Sequence, residues 1–281
     1  VGYLKMNTQG EHMIQHPIDL ELLSELAQAA GKGIMEIYAT DFSVDIKSDN
    51  SPLTQADTRS HEIISAKLQK EYPSIPILSE EGKTISFEER KKWSRFWLVD
   101  PLDGTKEFVK KNDEFTVNIA LIENHIPVAG VIYAPALDLM YLAEVETGCW
   151  EIARGKQRKL EIIPPIDGDV IRVVQSRSHP SKALTECLNT LPAHETVSRG
   201  SSLKFCLVAS GKADFYPRLG PTWEWDTGAG QAVVTAAGGI VTNTHGVPLG
   251  YNKPNLLNGP FFVGADRDFM EGLSLFSPNA L

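Results

Sequence analysis

The sequence predicts a mixed α/β (α+β) chain arranged in two packed halves, and three observations carry that expectation. Apolar residues recur at helical spacing in two stretches near the start. A series of short apolar runs comes next, reaching Leu142, and beyond Pro164-Pro165 short runs alternate with helical segments.

Taken in order, Ile18 to Tyr38 places Leu20, Leu23, Leu26, Ala27, Ala30, Ile34 and Ile37 on one helix face, with Asp19 near the start. Asp57 to Tyr72 predicts a second helix, because Ile63, Ile64, Ala66 and Leu68 follow a polar first turn and Pro73 ends the pattern. Asp57 then falls at or near a helix start. Pro76 to Leu78, Phe96 to Val99, Thr116 to Ile122, Val128 to Tyr133 and Met140 to Leu142 read as strands of one sheet, mostly antiparallel where links are short. After the proline pair, Val170 to Gln175 reads as a strand and Ser181 to Leu191 as a helix. Ser202 to Ser210 and Thr227 to Ala237 read as helices opening on small polar residues, before an apolar end at Phe261-Phe262-Val263. This divides the chain into a tail (1–17), an N-terminal α+β half (18–165) and a C-terminal α/β half (166–281). The segment around Gly10-Glu11-His12-Met13 allows an alternative start.

With 281 residues the chain can bury a sizeable core without disulfides. A formal charge of -9 and a pI near 5.3 argue against a nucleic-acid polymer as partner, since phosphate backbones recruit clustered Lys and Arg. Cys149, Cys187 and Cys206 are scattered, with no C-x-x-C spacing, so neither a disulfide framework nor a zinc site is indicated and a reducing cytoplasm is expected. No apolar run is long enough to span a bilayer, and none near the start has the form of a secretory signal.

The most informative stretch runs from a buried-strand pattern at Trp97 into Asp100-Pro101-Leu102-Asp103-Gly104-Thr105 and on to a helix-like segment. Asp100 and Asp103 are expected on either side of a turn stiffened by Pro101, close enough to share hard cations such as Mg²⁺. Gly104 allows close backbone approach, and the first N–H groups of the following helix favour a phosphate oxygen. The same hexapeptide also reads as a plain capped turn. Glu80, in Ser79-Glu80-Glu81-Gly82, stands at a strand end and can join the centre or lie in a solvated loop. Asp226, in Trp223-Glu224-Trp225-Asp226-Thr227-Gly228, and Asp57, in Thr54-Gln55-Ala56-Asp57, each stand at a helix start, where N-capping is the alternative. If these acids converge, their mutual repulsion demands divalent cations, and the all-oxygen set favours Mg²⁺ over zinc. Trp223 and Trp225 read as packing residues that fix Asp226. Ser176-Arg177-Ser178-His179 reads as a polar loop, with contact to an outer phosphate as the alternative.

Glu80, the run from Asp100 to Thr105, and Trp225-Asp226-Thr227-Gly228-Ala229-Gly230 together resemble, in order and spacing, the motifs of the inositol monophosphatase superfamily of lithium-sensitive, Mg²⁺-dependent phosphatases. The resemblance extends from about Ile18 onward. Asp103 to Phe108, Phe115 to Leu121 and Gly200-Ser201-Ser202-Leu203-Lys204-Phe205 are similar to the bacterial 3'(2'),5'-bisphosphate nucleotidase branch, which converts adenosine 3',5'-bisphosphate to AMP and phosphate. The resemblance implies a layered αβαβα sandwich with the active site at the junction of its halves. It implies two or three Mg²⁺ ions held by the carboxylates of Glu80, Asp100, Asp103 and Asp226 and by the carbonyl of Leu102, with Glu80, Leu102, Asp103 and Asp226 also bordering the substrate. It assigns Asp57 and Thr105 to orienting the attacking water, Gly104 and Thr105 to the phosphate, and Gly200, Ser201, Ser202 and Lys204 to the nucleoside part. Alternatives of the same superfamily are an inositol monophosphatase or a sugar bisphosphatase. An alternative of another class is a non-catalytic Mg²⁺/nucleotide-binding regulator, against which the full set of acids stands. The expected setting is the cytoplasm, as monomer or homodimer, with peripheral attachment to the inner membrane left open.

Overall fold

The structure, a computed structural model, describes residues 18–40, 52–166, 168–177, 182–273 and 275. The expected tail, the alternative start, Ser178-His179 and Ser181 lie outside the described residues.

Two long helices open the fold. Helix α1 (Leu20–Tyr38) is capped by Asp19, whose carboxylate accepts from the N–H groups of Glu21 and Leu22 at 3.0 and 3.1 Å. It buries Leu23, Leu26, Ala27, Ala30 and Ile34. Helix α2 (Pro52–Glu71) begins earlier than the sequence suggests, so Asp57 lies in its second turn and not at its start. Proline suits the first helical position, where its fixed φ is favourable and its missing N–H has no partner to lose. Ala56, Ser60, Ile64 and Leu68 then form a buried stripe at four-residue spacing.

A seven-stranded sheet comes next: β1 (Ile77–Ser79), β2 (Arg95–Asp103), β3 (Thr116–Glu123), β4 (Ile126–Ala134), β5 (Leu139–Glu144), β6 (Gly148–Ala153) and β7 (Lys156–Leu160), in that spatial order. Only β1 and β2 run parallel; the other pairs are antiparallel, as the short links suggest. The short helices α3 (Phe87–Arg90) and α4 (Thr105–Val109) flank β2. Asp100-Pro101-Leu102-Asp103 is not the expected turn but the end of β2, where the register against β3 shifts between Asp100 and Asp103. Pro101 has no N–H to give the ladder, which accounts for the irregularity. The chain turns one residue later, at Gly104, whose φ of 94° disfavours any residue with a Cβ.

The second half contributes β8 (Ile171–Ser176), α5 (Lys182–Thr190), β9 (His194–Arg199), α6 (Leu203–Ala209), β10 (Phe215–Arg218), β11 (Thr222–Trp223) and α7 (Gly228–Ala236). It closes with β12 (Ile240–Asn243), β13 (Leu257–Asn258), β14 (Phe261–Gly264) and α8 (Arg267–Gly272). Five strands form a mixed sheet in the order β12-β14-β10-β8-β9, while β11 pairs with β13 apart from it.

Helices α1 and α2 cover one face of the large sheet and α7 the other, with α6 between α7 and the smaller sheet. The outer face of the smaller sheet is closed by a cluster joining Cys187 of α5 and Met270 of α8 to Val173, Phe215 and Phe262. The order of layers is αβαβα. The middle cluster unites Leu98, Ala120 and Ile132 with Phe205, Val233 and Phe261, so both sheets share one buried layer.

Candidate active site

The acids are delivered by the ends of elements. Glu80 directly follows β1, and its N–H donates to the carbonyl of Val99 at 3.1 Å, which holds it beside β2. Asp100, 1 % exposed, accepts from the N–H of Leu102 at 3.1 Å. Asp226 stands two residues before α7, its Oδ2 accepting from the Trp223 N–H at 2.8 Å. The loop that carries it is anchored by Glu224, fully buried, whose carboxylate accepts from Asn252 N–H at 2.7 Å, Lys253 N–H at 3.0 Å and Lys253 Nζ at 2.7 Å. The three acids converge: one carboxylate oxygen each of Glu80, Asp100 and Asp226 lies within 4.8 Å of the other two.

Asp103 sits beside this group, with Oδ2 accepting from Ser201 Oγ at 2.6 Å and Ser202 Oγ at 2.8 Å. Burial, then repulsion from Asp103 and further neighbouring acids, raises the pKa of Glu80 and of Asp226 to about 7 each. Burial and the same neighbours push Asp100 well above the carboxylate range. Glu80 remains open to solvent over more than a third of its surface, whereas Asp100 is enclosed. Four mutually repelling carboxylates made of hard oxygen donors fit a divalent cation of the Mg²⁺ or Ca²⁺ kind, because added positive charge removes the repulsion that now favours protons.

Asp57 reaches toward the same region from α2. Burial, together with repulsion from Glu81 and Glu80, raises its pKa to about 8, and its buried Oδ1 has no hydrogen-bond partner. No hydrogen bond joins it to Thr105, the first residue of α4. Ser60, one turn along α2, donates to the carbonyl of Pro101 at 2.8 Å and thereby ties the helix to the irregular end of β2.

A cavity of about 260 Å³ opens beside the acids, lined among others by Gly104, Thr105, Ser176, Lys204, Arg218 and Asp226. Its lining includes two cations. Lys204 is buried with its Nζ donating to the Ser201 carbonyl and lying 5.8 Å from the centre of the Tyr216 ring; burial lowers its pKa to about 8. Arg218 ends β10 with a buried Nε that has no partner. The only sequence signal for Arg218 is a cation closing the short run Phe215-Tyr216-Pro217, which the structure shows to be β10.

Ser201, Ser202 and Lys204 all line the cavity, whereas Gly200 lies behind it with its N–H donated to Glu114 Oε2 at 2.8 Å. Ser176 borders the cavity, and Arg177 turns away to meet Glu114 at 2.9 Å. Trp225 packs against the middle core as expected; Trp223 does not, being 42 % exposed and stacked on Trp225 with centroids 5.4 Å apart. The alternation of side chains along β11, where Thr222 is the buried member, turns Trp223 outward.

The sequence pattern of the inositol monophosphatase family matches residues 19–273, and the chain belongs to that family. Among bacterial relatives, it is 47% identical over 250 residues to the 3'(2'),5'-bisphosphate nucleotidase CysQ of Escherichia coli strain K12, covering 87% of this chain and 98% of that protein. It is 34% identical over 275 residues to the protein of the same description from Haemophilus influenzae, covering 98% of this chain and 100% of the relative. The crystal structure of CysQ from Bacteroides thetaiotaomicron superposes with a TM-score of 0.79 at 42% identity, covering 88% of this chain and 97% of that one. An inositol monophosphatase from Zymomonas mobilis shares the fold with a TM-score of 0.76 at 25% identity, covering 92% and 97% of the two chains.

Proposed function

We propose that this chain is a Mg²⁺-dependent 3'(2'),5'-bisphosphate nucleotidase that hydrolyses the 3'-phosphate of adenosine 3',5'-bisphosphate to give AMP and phosphate. One observation carries the reading: Asp226 of the metal-suited acidic cluster and its neighbour Asp103 line one cavity of about 260 Å³ together with a pair of cations, Lys204 and Arg218. Both phosphates of such a substrate need positive charge, which bound Mg²⁺ would supply at the acids and Lys204 with Arg218 supply beside them.

Glu80, Asp100 and Asp226, with Asp103 and the Leu102 carbonyl as the sequence resemblance implies, would hold two or three Mg²⁺ ions. Bound there, Mg²⁺ lowers the pKa of a water and offsets the charge of the reacting phosphate. The chain's own residues do the rest. Asp57, with an uncommitted buried oxygen, receives a hydrogen bond from the attacking water, and the Thr105 hydroxyl aims that water from the start of α4. Gly104 and Thr105 border the reacting phosphate. Lys204 and Arg218 take the second phosphate, whose charge replaces the solvent that burial denies them. Ser201 and Ser202 keep Asp103 in place through their hydroxyls.

The test is phosphate release with Mg²⁺ from adenosine 3',5'-bisphosphate, inositol 1-phosphate and fructose 1,6-bisphosphate. The expected result is a clear preference for the nucleotide. Faster turnover of inositol phosphate or the sugar would move the chain to another activity of its family, and no release from any of the three would leave a binding protein.

A further inference from the structure

We infer that Glu114 is a positioning residue that clamps the loop Gly200-Ser201-Ser202 of the C-terminal half against Asp103 and Gly104 of the N-terminal half; the kinetic part of this inference rests on the nucleotidase reading. Glu114 is only 7 % exposed and lies just before β3, outside the acidic cluster. Its Oε2 accepts from the Gly200 N–H at 2.8 Å, and its Oε1 accepts from Arg177 Nη2 at 2.9 Å and Arg199 Nη1 at 3.2 Å. A buried carboxylate is costly unless its lone pairs are occupied and its charge is balanced, and here both conditions are met by groups from the other half. The two arginines belong to the ends of β8 and β9, joined by the Arg177 N–H to the Arg199 carbonyl at 3.3 Å, so the carboxylate grips a braced pair of strand ends.

This grip shapes the loop from Gly200 to Lys204. A Cβ on Gly200 would lie 2.5 Å from Glu107 Cγ and 3.1 Å from Glu114 Cβ, so only glycine lets the loop come this close. Ser201 then adopts a φ of 51°, a left-handed backbone that a serine holds only when its surroundings impose it. That conformation brings Ser201 Oγ to Asp103 Oδ2 at 2.6 Å and to Thr116 Oγ1 at 2.5 Å, and it sets Ser202 and Lys204 on the cavity wall. Glu114 fixes the residue before the strained one, Asp103 and Thr116 fix the strained one itself, and the two restraints act together.

The experiment compares wild type with Glu114→Ala and Glu114→Gln by residue-resolved hydrogen exchange and by steady-state kinetics on adenosine 3',5'-bisphosphate. In the alanine variant the Gly200 amide is expected to exchange about 10-fold or more faster, as for a lost charge-assisted bond. KM should rise roughly 10-fold while kcat changes less than about 3-fold, the pattern of lost substrate positioning. Glutamine, which still offers an acceptor to Gly200, should recover part of both effects. Unchanged exchange at Gly200 in the alanine variant would overturn the inference, as would faster exchange spread evenly over both sheets in both variants, which marks a merely structural residue. The exchange measurement needs no substrate, so it judges the clamp even if the wild type fails to hydrolyse the nucleotide.

Discussion

Mg²⁺ binding to this protein should expel protons, and the number expelled is set by the acidic cluster. Glu80 and Asp226 each have a pKa of about 7 without metal, so each carries about half a proton at pH 7, together about one. At pH 6 the pair carries about 1.8 protons and at pH 8 about 0.2. Asp100, also pushed up by burial and its acidic neighbours, adds to that count. The cation competes with these protons for the same oxygens, so apparent Mg²⁺ affinity should rise roughly 10²-fold between pH 6 and 8 from the pair alone. Titration calorimetry at pH 7 in two buffers of different ionisation enthalpy reads the proton count directly; the expected value is about one or more. The sign for stability is opposite in the metal-free protein. Carboxylates whose folded pKa is raised bind more protons folded than unfolded, so the stability they contribute is present at acid pH and is lost as pH rises through about 7. With a chelator Tm should therefore fall between pH 6 and 8, and saturating Mg²⁺ should remove the fall. Buffer-independent heats, or an affinity flat from pH 6 to 8, would mean the acids are already ionised without metal and would refute the reasoning.

Three further outcomes are expected. Asp103→Asn keeps an acceptor for Ser201 and Ser202 but removes a charge, and should lower kcat/KM by about 10²-fold or more with an unchanged Tm; near-normal turnover at ordinary Mg²⁺ would exclude Asp103 from the centre. Asp57→Asn and Thr105→Ala should each lower kcat by on the order of 10²-fold, and the double variant should be scarcely worse than the poorer single one, because both act on one water; losses that multiply would separate them. Lys253→Met leaves the fully buried Glu224 without its 2.7 Å partner. Since Lys253 is itself a third exposed, the cost should lie near the lower end for a broken buried pair, about 3 kcal/mol, or roughly 6–12 °C in Tm; a shift under about 2 °C would show that the two backbone N–H groups suffice to hold the carboxylate.

Local sequence determined the parts of this site whose signals are local. A strand running into Asp100-Pro101-Leu102-Asp103-Gly104-Thr105, an acid after the short run ending at Ser79, and Asp226 just ahead of a small-residue helix can each be read within a dozen residues, because element ends are set by nearby backbone chemistry. The start of α2 and the place of the turn differ from the local expectation for the complementary reason. Pro52 and Pro101 act through a single missing N–H, which apolar periodicity does not register. Polar edge strands such as β7 and β9 escaped because Lys156–Leu160 and His194–Arg199 bury too little to alternate visibly. Only the tertiary structure decided which charges face one another. That Glu80, Asp100 and Asp226 share a space 4.8 Å across, that Arg218 lines the same cavity as Asp226, and that Glu114 reaches across to Gly200 all depend on two sheets packing through one core. A charge acquires its function from the distance to its partners, and those distances are set by packing between segments far apart in the chain.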